Sequence, residues 1–154
     1  VSLATSSFTS TYQNYLLQVT LSAASAGGTM SMRYRASGTD YSGSTYNTGA
    51  LLIDTAGTIA SDGQSGASQS SHKIGYYGGS DYLMAQITLF NPQEAANSRF
   101  TSNSSGVNST SSAVATSFSG GIVYQNTQYD AVTLLASGAT TLTGNYRLYG
   151  YSKS

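Results

Sequence analysis

The chain has no cysteine and no tryptophan, and only one proline and one histidine. Without cysteine there is no disulfide to staple the fold and no thiolate to hold a metal. Charge is scarce too. Six basic and six acidic residues make up 8% of 154 residues and cancel to a formal net charge of zero, against roughly 25% charged residues in ordinary globular chains. No basic face is available to neutralise a run of phosphates, so nucleic acid is not an expected partner. No apolar run reaches the roughly 18 residues of a membrane-crossing helix, and membrane insertion is not expected. No signal peptide is visible. The first residue is Val1 and not methionine, which fits a processed chain or the C-terminal part of a longer protein.

Hydroxyls and aromatics are abundant. Serine and threonine fill roughly three positions in ten, and there are 13 tyrosines, 4 phenylalanines and 17 glycines. Solubility therefore rests on hydroxyls and amides. So little charge favours association, which points to a chain that works inside an assembly. Tyrosine suits both β-sheets and binding surfaces, because a large apolar ring carries a polar tip.

The patterning is that of strands. Tyr15 to Leu21 reads YLLQVTL and suits a buried strand. Thr29 to Ser37 alternates strictly: Met30, Met32, Tyr34 and Ala36 share one face, and Ser31, Arg33, Arg35 and Ser37 share the other. The second face is expected to meet solvent, since unpaired charge is costly to bury. Gly38 to Gly49 reads as a long loop with an irregular edge strand near Thr45 to Thr48, followed by a short strand at Ala50 to Asp54. Ala56 to Ser71 is too polar to fold alone and reads as an exposed loop or a crossing over a neighbour. His72 to Tyr77 is strand-like. Tyr82 to Phe90 is apolar on both faces, as a central strand would be. Asn91-Pro92 breaks that run, and Gln93 to Ala96 suits a single helical turn. Ser102 to Ser112 is a second polar tract. Ala113 to Phe118 and Ile122 to Tyr124 flank a bend at Gly120-Gly121. Ala131 to Ala136 and Tyr146 to Tyr151 read as a closing hairpin around Gly138 and Gly144. Roughly 8–10 short strands at regular spacing indicate a single all-β domain over 1–154, an antiparallel β-sandwich. Tyr34, Leu83, Ile87, Leu89, Leu134 and Leu148 are its expected core.

Chemistry at a cleft finds little support in the residues. His72 is the only histidine, and no G-x-S-x-G elbow or oriented carboxylate accompanies it. The carboxylates Asp40, Asp54, Asp62, Asp81, Glu94 and Asp130 lack the spacing of a calcium loop or a zinc site, and Asp40, Asp62 and Asp81 sit in turn-forming contexts. No catalytic residue, metal or cofactor is expected. Arg33 and Arg35 beside the tyrosine-rich segment carrying Tyr41 and Tyr46 are the candidate contacts for a glycan or a protein partner. Aromatic faces with guanidinium and amide neighbours hold sugar rings and partner side chains, and the same residues also suit a solvated strand face.

Five stretches carry a resemblance: VSLATSSFTSTYQNYLL (Val1 to Leu17), MSMRYRASGTDYSGSTYNTG (Met30 to Gly49), ITLFNPQEAANSRFTS (Ile87 to Ser102), YQNTQYDAVTLLASG (Tyr124 to Gly138) and TLTGNYRLYGYSKS (Thr141 to Ser154). In this order they resemble the C-terminal β-domains of virion surface proteins of tailed bacteriophages, particularly fibre-like proteins of marine and cyanobacterial phages. The resemblance implies a jelly-roll-like sandwich at the virion surface, a homotrimer, and contact with other virion proteins. Two functions follow from it. One is a non-enzymatic head of a tail or capsid fibre that mediates assembly and attachment to a host-surface glycan. The other is a capsid decoration protein that stabilises the shell. A glycan depolymerase comes third. The family defines no catalytic motif to carry over.

Overall fold

The computed structural model describes the chain apart from residues 63, 80–81, 109–111, 139–140 and 153–154 and the side chains of 23, 64–68 and 152. Twelve strands run through the described residues: β1 (Tyr12–Ala24), β2 (Gly28–Ala36), β3 (Thr39–Asp40), β4 (Tyr46–Asp54), β5 (Ile59–Ser61), β6 (Gln64–Gln69), β7 (His72–Tyr77), β8 (Leu83–Phe90), β9 (Ser98–Asn108), β10 (Ala113–Val123), β11 (Ala131–Ala136) and β12 (Leu142–Ser152). They form two antiparallel sheets. The larger has eight strands in the order β12-β1-β8-β9-β10-β4-β5, with β6 also paired to β4. The smaller has four, with β11 on one side of β2 and both β3 and β7 on the other.

Alternation sets the core. Tyr15, Leu17, Val19 and Leu21 of β1 lie in register with Leu89, Ile87, Ala85 and Leu83 of β8, and all eight are buried. Met30, Met32 and Tyr34 of β2 face them from the smaller sheet, each fully buried. Tyr34, Leu83, Ile87, Leu89 and Leu134 take their expected core places, and Leu148 is half-buried against the same cluster. β8 buries one face only. Its other face carries Met84, 61% exposed.

The strand count exceeds the eight to ten expected because the polar tracts are strands. Ala56 to Ser71 contains β5 and β6, and Ser102 to Ser112 is largely β9. Ser98, Ser102 and Ser104 of β9 and Ser117 and Ser119 of β10 point inward and are buried. β7 packs directly over them. The Ser104 hydroxyl donates to the Ile74 carbonyl at 2.9 Å, the Ser119 hydroxyl donates to the Lys73 carbonyl at 3.3 Å, and the Ser102 and Ser119 hydroxyls share a 2.5 Å hydrogen bond. Small side chains allow the close approach: a Cβ on Gly106 would stand 2.1 Å from the Tyr76 carbonyl oxygen. Gly120 and Gly121 do not bend the chain. They lie inside β10, which runs unbroken from Ala113 to Val123. Residues 93–96 form turns and bends and no helical turn.

The expected closing hairpin does not form. β11 pairs with β2 in the smaller sheet, and β12 pairs with β1 in the larger. Ala131, Val132, Thr133 and Leu134 are buried in succession, as a strand covered on both faces requires. β12 is exposed along most of its length. The two runs therefore belong to different environments, and Gly138, at φ 81°, lies just past the end of β11.

Candidate functional site

The four residues singled out in the sequence cluster around β2 and the start of β4, but they do not form an open surface. Arg33 Nε donates to the Ser70 carbonyl at 2.8 Å and its terminal nitrogen to the Ser70 hydroxyl at 3.0 Å. Arg35 donates to the Gly38 carbonyl and forms an ion pair with Asp40 at 3.2 Å. Asp40 in turn accepts the Thr133 hydroxyl at 2.6 Å. Both arginines are half-buried. Their donors secure the β6–β7 connection and the β2–β3 turn, so the solvated face expected of them is a correction. That turn is tight: Ala36 pairs with Thr39, and Ser37 and Gly38 both take positive φ (51° and 79°), the geometry of a two-residue type I′ hairpin.

Tyr46 is fully buried and touches no solvent. Its hydroxyl donates to the Tyr41 carbonyl at 2.8 Å and accepts the Tyr34 amide at 3.1 Å. Burial raises its phenol well above the ordinary tyrosine value. Tyr46 is therefore core, and its expected role as a contact is a correction. Tyr41 is half-buried. Its hydroxyl shares a 3.1 Å hydrogen bond with Thr45, and its ring packs against Tyr46 and Tyr129.

His72 lies in the same interior. Its ring centroid is 4.3 Å from Phe100 and 4.7 Å from Tyr46. Nδ1 meets the Thr48 hydroxyl at 2.8 Å, Nε2 has no hydrogen-bond partner among the described residues, and the residue is fully buried. Desolvation lowers its pKa to about 3, so the ring is neutral near pH 7. Among the described residues, no three His, Asp or Glu side chains gather as a metal site. Asp81 lies outside the described residues.

The open chemistry is on the outer face of the larger sheet, built by the positions that alternate with the core. Register sets Gln18 of β1 beside Gln86 of β8 and Asn103 of β9, with Arg147 of β12 flanking them on one side and Phe118 of β10 on the other. The next row sets Asn145, Thr20, Met84, Ser105 and Thr116 side by side. Gln18, Thr20, Met84, Gln86, Asn103 and Ser105 line a shallow groove of about 400 Å³. A second depression of about 420 Å³ shares Gln18 and Thr20 with it and continues to Asn145 and Arg147. Side chains in one row stand about 4.8 Å apart, the strand spacing.

This face has a simple charge pattern. Its outward strand positions include Arg99 and Arg147, both exposed, and no carboxylate among the described residues. The groove itself sets amides and hydroxyls around the exposed apolar side chain of Met84. Such a surface offers paired donors and acceptors to neutral, hydroxyl-rich ligands, with guanidinium groups for an acidic substituent. Sequence reasoning missed it for a definite reason. Asn103 and Ser105 fell in a tract read only as polar, Gln18 and Gln86 fell in strands read as buried, and register alone sets them side by side. No protein-family model matches the chain, and no curated protein matches it in sequence.

Proposed function

We propose that this chain is a non-enzymatic structural protein of a tailed-phage virion, a jelly-roll-like head of a tail or capsid fibre that attaches to a host-surface glycan through the outer face of its larger sheet. The observation that carries this reading is the row of amides Gln18, Gln86 and Asn103, which lines one groove together with Thr20, Ser105 and the exposed Met84. Bidentate amides and hydroxyls match vicinal sugar hydroxyls, and a shallow groove suits an extended chain of sugars. The fibre setting rests on the resemblance of the five sequence stretches. The jelly-roll-like closure is supported by the way the chain passes between sheets at β1–β2, β3–β4, β6–β7, β7–β8, β10–β11 and β11–β12.

A glycan array probed with the assembled protein tests the reading. Binding to a defined glycan class is expected, with at least tenfold loss in Gln86→Ala and Asn103→Ala, each of which changes an exposed side chain. A second reading, the capsid decoration protein, draws on a different observation. Leu51, Ile53, Ile59, Val114 and Phe118 form an apolar patch on the outer positions of β4, β5 and β10, each 38–70% exposed, as a surface covered by another virion protein would be. A stable assembly with no glycan signal would favour decoration over attachment.

A further inference from the structure

β12 ends the larger sheet, and nothing among the described residues pairs with its outer side. Other sheet edges are blunted. β5 is three residues long. The side of β11 away from β2 is covered by the N-terminal segment, with Leu3 N donating to the Val132 carbonyl at 2.9 Å and Leu134 N to the Val1 carbonyl at 2.7 Å. β7 is six residues long and carries a register shift against β2. β12 runs for eleven residues with no proline and one charge, Arg147. Its two register shifts against β1 lie near its ends, so Gly144 to Tyr151 pair without interruption, and a long regular edge of this kind is a template for another strand. Tyrosine stands on both of its faces, Tyr146 on one and Tyr149 and Tyr151 on the other, exposed by 44%, 46% and 49%.

The middle of this strand is complementary to itself. When two copies pair antiparallel about a two-fold axis, the residue numbers of opposed positions add to a constant. Setting Leu148 opposite Leu148 of the second copy sets Arg147 opposite Tyr149, Tyr146 opposite Gly150 and Asn145 opposite Tyr151. Each guanidinium then lies beside a tyrosine ring, a favourable cross-strand and cation–π pair. Leu148 meets its own copy on the inner side of the sheet, the side of the apolar cleft lined by Val19, Leu21, Leu134 and Leu142. Moving the register two residues one way opposes Arg147 to its own copy, like charge on like. Moving it the other way keeps a tyrosine opposite Arg147 but sets Leu148 against Gly150. Arg147 has no ion pair or side-chain hydrogen bond within the described residues, so nothing must be broken to engage it.

We infer that β12 pairs antiparallel with β12 of a second copy, centred on Leu148, joining the two eight-stranded sheets into one across a two-fold axis. The pairing stands independently of any glycan on the outer face. It also differs from the trimer implied by the phage resemblance, because three copies about a three-fold axis cannot share one self-complementary edge.

Light scattering on the full chain is expected to give the mass of a dimer. A monomer at every concentration, or a trimer, overturns the inference. The register is read by cross-linking. The chain has no cysteine, so Leu148→Cys introduces the only thiols, and opposed strand positions fall within disulfide reach. Under mild oxidation Leu148→Cys is expected to form a covalent dimer and Tyr151→Cys to remain largely uncrosslinked. Equal cross-linking, or none in either, overturns the register. Charge at an exposed position gives a second readout that spares the core. Tyr149→Lys sets like charges across the axis and is expected to weaken the dimer at least tenfold. Tyr149→Glu sets Glu against Arg147 and is expected to preserve or tighten it. If Lys and Glu shift the dimer equally, with circular dichroism showing both variants folded, the inference fails.

Discussion

His72 is the residue whose chemistry most affects the stability of the chain. It is fully buried between Tyr46, Tyr34 and Phe100, with its pKa lowered from 6.5 to about 3 by desolvation. The folded state therefore binds fewer protons than the unfolded state between those two values. The sign follows: this contribution to stability is intact above about pH 6.5 and is lost progressively as pH falls toward 3. Thermal melts should show His72→Phe costing stability at pH 7, where the Thr48 hydroxyl loses its partner, and costing less or nothing near pH 4. A pH-independent difference between the two proteins would show that His72 does not carry the acid sensitivity. Tyr46→Phe tests the same interior without titration. It removes the hydroxyl that serves the Tyr34 amide and the Tyr41 carbonyl, so two backbone groups lose their partner at a cost of about 1–3 kcal/mol. Its denaturation midpoint should drop accordingly, with glycan retention unchanged on the folded protein.

At the scale of the element, serine and glycine make the difference between a loop and a strand. β9 and β10 hold buried serines where a sandwich usually holds aliphatics, because β7 lies too close for larger side chains. Gly106→Ala should therefore destabilise by about 1–3 kcal/mol through overpacking, since its Cβ would meet the Tyr76 carbonyl at 2.1 Å. The neighbouring exposed Ser105→Ala should be nearly neutral in the same denaturant titration. This packing also explains which elements were legible. β2 announced itself by alternation, as in Met30, Met32 and Tyr34, and β1 and β8 by runs rich in apolar strand formers, although β8 buries one face and not the two expected. β9 alternates too, but as serine against serine and asparagine, so its buried face is invisible to a hydropathy pattern. The β11–β12 hairpin failed for the opposite reason. Two good strand patterns separated by glycines fit a hairpin locally, and only the smaller sheet's need for a partner on the far side of β2 sends them apart. The candidate site suffered from both effects. Arg33, Arg35 and Tyr46 attracted notice as conspicuous side chains and proved to be internal fasteners, and the groove is made of inconspicuous amides aligned by register.

At the scale of the whole molecule, the groove and the β12 edge belong to one sheet, which couples the two proposals geometrically. Pairing through β12 places Gln18 of one copy and Gln18 of the next three strand spacings across and two residues along the strands from each other, about 16 Å, on one continuous outer face. Both depressions that contain Arg147 and Asn145 then adjoin the two-fold axis. A glycan displayed densely on a surface would engage two grooves at once, and the second engagement is intramolecular. Such coupling raises retention by roughly 10²–10⁴ over a single site. The expected outcome is that Tyr149→Lys, which breaks the pairing, lowers retention on a glycan-coated surface by far more than it lowers affinity for the soluble oligosaccharide. Surface plasmon resonance on immobilised glycan and calorimetry with the free sugar give the two numbers. Equal losses in both would mean that the edge contributes nothing to attachment and that each groove acts alone.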